Sequence, residues 1–556
     1  MSNKKEIQHN GVTIGTSKLH KGTKLHFVGI GGIGMSGIAQ IYNACGYRVQ
    51  GSDSSCDYTK DLLEDCGINY FVGHSVDNID TSISCVIRSS AIRNDNPEIV
   101  AAKDFGVPII SRAEALAGLI PLHTTSIAVT GTHGKTTTTA MIGSLLHHLG
   151  TQPTVVNGGL MHNFGNNILV GSGEIIALEA DESDGSFLFL PCTTTVITNL
   201  EPEHLEYYGT IENLRNQFKN FIMKMSDRNA VVLCIDDSNL FEIWEELITL
   251  KVRAKIIPYS LNLATARKQN YCSQALAQNI LHAENIRVDR NGTYFDLVGT
   301  IYNNTNNKTE SKNRTKSDSD INSYMPQAIS YKNIMIKTYG LHNVSNAIAA
   351  VAGVGAIYDL DEAKTKTAFA TFTGVKRRFS ILGQINGITV IDDYAHHGTE
   401  ITATVAMAKL WLEQNNQDEA NNASKYIHKT STPQSKNKPK LIAIFQPHRY
   451  SRTKDLMDHF TTTLANIAAD YLILLPIYSA GEEKIDNVSS RVLYHKILAA
   501  ANQNPNGSKP QVLLLNDESN LASIINEVGN SGDMLLCMGA GSISKIAYDL
   551  VNPKEQ

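Results

Sequence analysis

The sequence predicts an α/β protein made of three consecutive α/β domains: a Rossmann-like N-terminal domain, a central P-loop ATPase-like domain and a Rossmann-like C-terminal domain. Three observations carry this. Short apolar runs alternate with helical stretches along most of the chain, the pattern of parallel sheets covered by helices. Two glycine-rich turns, at 29–34 and 131–136, each follow an apolar strand and open a helix. A chain of 556 residues also exceeds what one hydrophobic core supports. The expected boundaries are 1–123, 124–373 and 374–556.

In the first domain, Lys24-Leu25-His26-Phe27-Val28 reads as a strand and the stretch after Gly34 as a helix. Tyr47-Arg48-Val49, Cys85-Val86-Ile87 and Val107-Pro108-Ile109-Ile110 read as further strands, with a helical stretch near 97–105. The second domain begins with the strand before Gly131. It has strand candidates at 174–179 and 194–199 and ends in an alanine-rich helical segment at 340–358. The third repeats the theme with apolar runs at 388–391, 441–445, 472–475, 512–515 and 534–537. Two segments interrupt it. Residues 302–329 and 413–439 are rich in Asn, Lys, Ser and Thr, and such composition buries too little apolar surface to offset chain ordering. Both are expected to be flexible surface insertions.

Composition narrows the function. Hydrophobic residues make up 42% and charged residues 19%, as in ordinary globular proteins, and a net charge of −5 argues against nucleic-acid or anionic-membrane binding. No apolar run is long enough for a membrane span. The start, MSNKKEIQHNGVTIG, lacks a signal-type apolar stretch. Eight scattered cysteines contain no C-x-x-C pair, so reduced thiols in a cytoplasmic protein are expected.

Residues 125–130 run into Gly131-Thr132-His133-Gly134-Lys135-Thr136-Thr137 and then into a helix. Such a turn aims backbone N–H groups and a positive helix end at one point, which suits a polyphosphate. Lys135 can neutralise phosphate oxygens, and the Thr136 hydroxyl suits a magnesium ion. The general pattern G-x-x-x-x-G-K-[ST] puts a glycine at position 129, where this chain has Val129. The turn Gly29-Ile30-Gly31-Gly32-Ile33-Gly34 contains G-x-G-x-x-G, with Asp53 about 20 residues on. Alone it fits NAD, FAD or any other diphosphate, including a nucleotide sugar.

Carboxylates and an imidazole end two strands of the second domain, in Glu179-Ala180-Asp181-Glu182-Ser183-Asp184 and Asn199-Leu200-Glu201-Pro202-Glu203-His204. Carboxyl ends of parallel strands face the ligand crevice, so these groups should converge near Lys135. Further candidates are His342, Asn343 and Asn346 at a helix start, Arg378, Asp393 and His397 in the third domain, and Arg449 with Arg452 after a buried strand. An arginine pair of this kind suits a carboxylate or phosphate.

Taken together, VGIGGIGMSGIA, GTHGKTTTTAMI, EADESDGSF, TNLEPEHLEYYG, YGLHNVSNAIAA, GVKRRFSILG, IDDYAHH and FQPHRYSRT make the chain resemble the Mur ligases from about residue 24 to the end, apart from the two polar insertions. The missing glycine at 129 matches that family's shorter G-T-x-G-K-[ST] loop. The resemblance implies an ATP-dependent ligase that joins L-alanine to the lactyl carboxylate of UDP-N-acetylmuramate through an acyl phosphate, in peptidoglycan precursor synthesis. It implies UDP-sugar binding by Gly29, Gly31, Gly32, Gly34, Ser52, Asp53, Ser89 and Ser90. ATP would be held by Gly131 through Thr137, His342, Asn343, Asn346, Arg378 and Asp393. Thr136 and Glu179 would ligate Mg²⁺, His204 would serve a second metal, and His397, Arg449 and Arg452 would bind the amino acid. Lys135, Arg378, His204 and His397 are the implied catalytic set, and the third domain would close over the bound substrates.

The family has proline after the His-His pair, and Gly398 in its place predicts a looser loop around His397. The expected partners are these small molecules, with no nucleic acid and no membrane insertion, and the protein a monomer or weak homodimer. Three other readings stand beside this one: a recycling ligase attaching a murein peptide to the same UDP-sugar, an NAD-dependent oxidoreductase with an added P-loop domain, and a non-catalytic nucleotide-binding regulator.

Overall fold

The computed structural model describes residues 12–14, 17–55, 58–183, 185–190, 192–263, 280–289, 291–304, 324–426, 438–503 and 509–553. After a small hairpin, β1 (Val12–Ile14) with β2 (Ser17–Leu19), come β3 (Lys24–Val28), β4 (Arg48–Asp53), β5 (Asn69–Val72), β6 (Ile83–Arg88) and β7 (Ile109–Ser111). They form a parallel sheet in the order β5-β4-β3-β6-β7, so the order reverses at β3 and opens a crevice beyond its carboxyl end. The glycine turn lies there.

Ten strands form the second sheet: β8 (Thr125–Thr130), β9 (Thr154–Met161), β10 (Asn166–Leu169), β11 (Ile175–Glu179), β12 (Thr194–Ile197), β13 (Ala230–Cys234), β14 (Lys255–Ser260), β15 (Leu281–Asp289), β16 (Gly292–Asn304) and β17 (Tyr324–Ile336). Their order is β10-β9-β11-β8-β12-β13-β14-β15-β16-β17. β8 is central, parallel to β11 on one side and β12 on the other, and all six of its residues are buried. Val129 is fully buried there, in register with Glu179 and Val196. The core strand therefore continues through 129 and 130, and the turn starts only at Gly131.

The third sheet holds β18 (Ser380–Ile385), β19 (Ile388–Asp393), β20 (Leu441–Phe445), β21 (Tyr471–Leu474), β22 (Gln511–Leu514) and β23 (Met534–Met538), in the order β18-β19-β23-β20-β21-β22. Only β18 with β19 is antiparallel. Apolar residues fill both of its faces, which is why its inner strands read as unbroken hydrophobic runs. The first sheet and most of the second fall in one compact unit; the third falls in another, which takes in residues 287–293, 337–342 and 374–556.

Parts of both segments expected to be flexible insertions are regular structure instead. Residues 302–304 and 324–329 belong to β16 and β17, so only 305–323 of the first lie outside the described residues. The helix Gly398–Tyr426 carries on through 413–426, leaving 427–437 of the second undescribed. Glu, Gln, Ala and Lys prolong a helix even where no apolar face needs covering, which a burial argument overlooks. Among the described residues no helix is long and apolar enough to cross a membrane, and of six described cysteines, all free, four are buried.

Candidate functional site

The first glycine turn is closed by its own backbone. Gly29 N–H donates to the Ser52 carbonyl at 2.8 Å, and Gly31 N–H donates to Asp53 Oδ2 at 2.9 Å. Gly29 has φ +82°, and a β-carbon on it would touch Ser89 Cβ at 3.0 Å. Gly32 caps the helix Ile33–Ala44, and Ser90 lies exposed in the turn beyond Ser89. A β-carbon on Gly34 would stand 3.2 Å from the Arg112 guanidinium, a cation beside this turn that no motif had singled out.

Ser52 is fully buried and donates through its hydroxyl to Glu98. Glu98 also accepts from Asn78 Nδ2 at 2.6 Å and lies 3.6 Å from His26 Nε2 and 3.1 Å from His74 Nδ1. Burial alone would raise its pKa. The nearby His26 and the hydrogen bonds from Ser52 and Asn78 together outweigh burial and bring it down to about 2.

At the second turn, strand ends meet as the sheet order requires. Thr132 N–H donates to the Asn199 carbonyl at 3.2 Å, His133 N–H to Asn199 Oδ1 at 2.7 Å, and Asn199 Nδ2 returns a bond to the His133 carbonyl at 2.9 Å. Asn199 thus straps the loop, a role its motif did not reveal. Gly131 and Gly134 have φ +118° and +82°. A β-carbon on Gly131 would lie 2.7 Å from the Asn199 carbonyl, and one on Gly134 2.5 Å from Asn346 Oδ1, so both positions need glycine.

Lys135 Nζ donates to the carbonyls of Gly131 and Thr132 at 2.7 and 3.1 Å and pairs with both oxygens of Glu182 at 3.0 Å. Burial would depress the Lys135 pKa, but Glu182, then Glu179 and Asp181, overcome this and hold it above its ordinary value. For Glu182, burial is the larger influence and raises its pKa despite Lys135. Thr136 Oγ1 donates to Glu179 Oε1 at 3.0 Å, while Glu179 Oε2 accepts Gly158 N–H at 2.7 Å. Thr137 is buried behind the loop. His204, in the left-handed conformation at φ +56°, lies 3.8 Å from Glu182, and ligand atoms of Glu182, Glu203 and His204 all fall within 4.8 Å of one another. Glu182 sat inside a quoted motif, yet only the structure singles it out as the lysine's partner. Asp184 lies outside the described residues.

Asn343 and Asn346 sit buried on the helix Leu341–Gly355, joined Nδ2 to Oδ1 at 3.3 Å. The Thr138 hydroxyl, in the helix that follows the loop, donates to Asn346 at 3.2 Å.

The second unit gathers the remaining candidates at the carboxyl ends of β19 and β20. Asp393 is buried and accepts from Phe379 N–H at 2.7 Å, Ala395 N–H at 2.8 Å and the Thr404 hydroxyl at 3.3 Å. Burial, only partly countered by Arg378, raises its pKa to about 6. It fastens the Arg377–Ala395 region together. Glu400, on the first turn of the helix Gly398–Tyr426, pairs with Arg378 at 3.5 Å and accepts the N–H groups of His396 and His397 at 3.0 and 3.3 Å. The His-His segment is thereby pinned at a helix start rather than loosened by Gly398. An acidic residue in the first turn is the signal that could have identified Glu400 from sequence.

The pKa of His342 is lowered to about 4, by desolvation of its ring and then by Arg378, though the residue keeps an exposed face. His448 is also lowered to about 4, by burial first and then by Arg452, His396 and Arg449, so both arginines lie within electrostatic reach of it. Arg449 caps the helix Tyr450–Asp455 at φ +68°, a costly backbone for arginine, and its N–H donates to the Tyr478 carbonyl at 2.8 Å.

Profiles of the Mur ligase family match this chain twice: the catalytic domain over residues 24–124 and the middle domain over 129–354. The UDP-N-acetylmuramate–L-alanine ligase of Rhodospirillum centenum is 36% identical over 520 residues, 94% of this chain and 92% of that one. Among solved structures, the UDP-N-acetylmuramate-alanine ligase of Thermotoga maritima matches with a TM-score of 0.63 at 28% identity, covering 95% of this chain and 98% of its own. A murein peptide ligase from Psychrobacter arcticus matches with a TM-score of 0.58 at 22% identity, covering 96% and 98%, a likeness of fold alone. With a glycine-lysine loop strapped onto a central parallel strand and relatives alike over nearly their full length, the chain belongs to the Mur ligase family.

Proposed function

We propose that the protein joins L-alanine to the lactyl carboxylate of UDP-N-acetylmuramate, splitting ATP to ADP and phosphate, in peptidoglycan precursor synthesis. One observation carries this reading: alanine-adding ligases match the chain along nearly all of its length. The murein peptide ligase is less similar and supports only the shared fold. An NAD-dependent oxidoreductase has no support from the relatives that match the chain over nearly its full length, which are alanine-adding ligases.

The roles follow from the chemistry of each group. The turn with Gly29, Gly31, Gly32 and Gly34 would take the UDP-sugar diphosphate, beside Ser52, Asp53, Ser89 and Ser90. Gly131 through Thr137 would cradle the ATP phosphates, and His342, Asn343 and Asn346 would meet the base. Lys135 would exchange its Glu182 partner for phosphate oxygens, and Arg378 would supply a further cation to the reaction. The lactyl carboxylate attacks the γ-phosphate, giving an acyl phosphate and ADP. The amine of alanine, its carboxylate held by Arg449 and Arg452 beside His397, then attacks the acyl carbon and phosphate leaves.

The oxygen donors of Thr136 and Glu179, 3.0 Å apart at the loop, suit Mg²⁺, and His204, grouped with Glu182 and Glu203, would serve a second metal. Bound there, Mg²⁺ would offset negative charge on the phosphates. We place the enzyme in the cytoplasm as a monomer or weak homodimer. Mass spectrometry of a reaction holding UDP-N-acetylmuramate, ATP, Mg²⁺ and L-alanine should find the alanyl product, and its absence would remove the reading.

A further inference from the structure

The glycine after the His-His pair is filled from outside. A β-carbon on Gly398 would lie 2.2 Å from His459 Nε2, 2.5 Å from its Cδ2 and 2.7 Å from Thr463 Oγ1. His459 and Thr463 are four residues apart on the helix Met457–Ala465, so they share a face, and that face rests on the bare α-carbon of Gly398. The His459 ring then lies against His397, with centroids 5.0 Å apart and planes tilted by 31°. His397 is buried, while His459 is exposed on its other side. Glu400 pins the backbone of His397, and the ring of His459 bounds its side chain.

We propose that His459 is a positioning residue for alanine: by occupying the space left at Gly398 and stacking on His397, it fixes the ring that meets the amino acid. This rests on the reading of His397 as an alanine contact. Substitution at Gly398 acts through the same ring, because the obstructing atoms are the far end of a side chain that can swing away. Gly398→Ala and His459→Ala therefore have one consequence, the release of His397.

Kinetics and a spectroscopic readout test this on the full chain. His459→Ala should raise KM for L-alanine about fivefold, the scale of one lost ring contact. KM for ATP and for UDP-N-acetylmuramate should stay unchanged, and His459→Phe, which keeps a flat ring, should restore the wild-type KM for alanine. Gly398→Ala should show the same rise, and the double variant no more than either single. Multiplying effects, or an equal rise for every substrate, would overturn the proposal. Independently of turnover, NMR of isotope-labelled histidine should show the His397 ring signal moving equally in His459→Ala and Gly398→Ala and staying in place in His459→Phe. A His397 signal indifferent to His459→Ala would disprove the contact even if the enzyme adds alanine. A moving signal in a protein that adds no alanine would preserve the contact and discard the functional reading.

Discussion

Lys135 is a partly buried cation that the fold surrounds with carboxylates. Glu182 grips the ammonium with both oxygens at 3.0 Å, and Glu182, then Glu179 and Asp181, hold its pKa above its ordinary value against the effect of burial. The functional account gives this cation the largest share of charge stabilisation. Lys135→Ala should lower kcat by at least ~10²-fold, as when a principal charge-stabilising group is lost. Steady-state phosphate release would measure it, and near-normal turnover would remove the loop from the reaction. Gly134 makes a second demand on the same loop. Gly134→Ala would force an L-residue to φ +82° and press its β-carbon onto Asn346. The backbone alone should cost about 1–2 kcal/mol. A lowered Tm together with a raised KM for ATP is expected, and an unchanged melting curve would contradict the geometry.

Elements were legible where burial set them, and obscure where polar side chains did. β8, β11 and β12 announced themselves as apolar runs, and their carboxyl ends converge as a parallel sheet requires. Val129, a mismatch to the general loop pattern, is a core residue of β8, so strand length explains the shorter loop. The helix continuing to Tyr426 was missed because its polar sequence gives no periodic signal. The Glu98 network was also invisible, since Glu98, Ser52, Asn78 and His26 come from different elements that only the fold brings together. That network has a pH signature. The folded pKa of Glu98, about 2, lies below its ordinary 4.5, so folding favours the ionised form. Its stabilisation is complete above pH 4.5 and is lost as pH falls toward about 2. Glu98→Gln should remove this acid-side loss and cost about 2 kcal/mol at neutral pH, the scale of hydrogen bonds to a charged group. Urea melts of both proteins at several pH values would show it, and parallel pH profiles would refute it.

On the scale of the whole molecule, three sheets carry three groups of side chains: a glycine turn on the first, a glycine loop with a lysine and carboxylates on the second, and arginines with histidines on the third. The sheets and both turns could be read from the sequence because hydrophobic periodicity and glycine placement are local signals. The pairings that make the sites work were not readable in this way. Lys135 with Glu182, Asn199 with the loop backbone, and Glu400 with Arg378 join residues 47, 66 and 22 positions apart. The central claim is that these parts add alanine to the UDP-sugar. The most direct test is phosphate release by the purified protein with ATP, Mg²⁺ and UDP-N-acetylmuramate, comparing L-alanine with a murein tripeptide. Release that depends on L-alanine and not on the tripeptide is the predicted result, whereas release with the tripeptide alone, or without any amino acid, would contradict it.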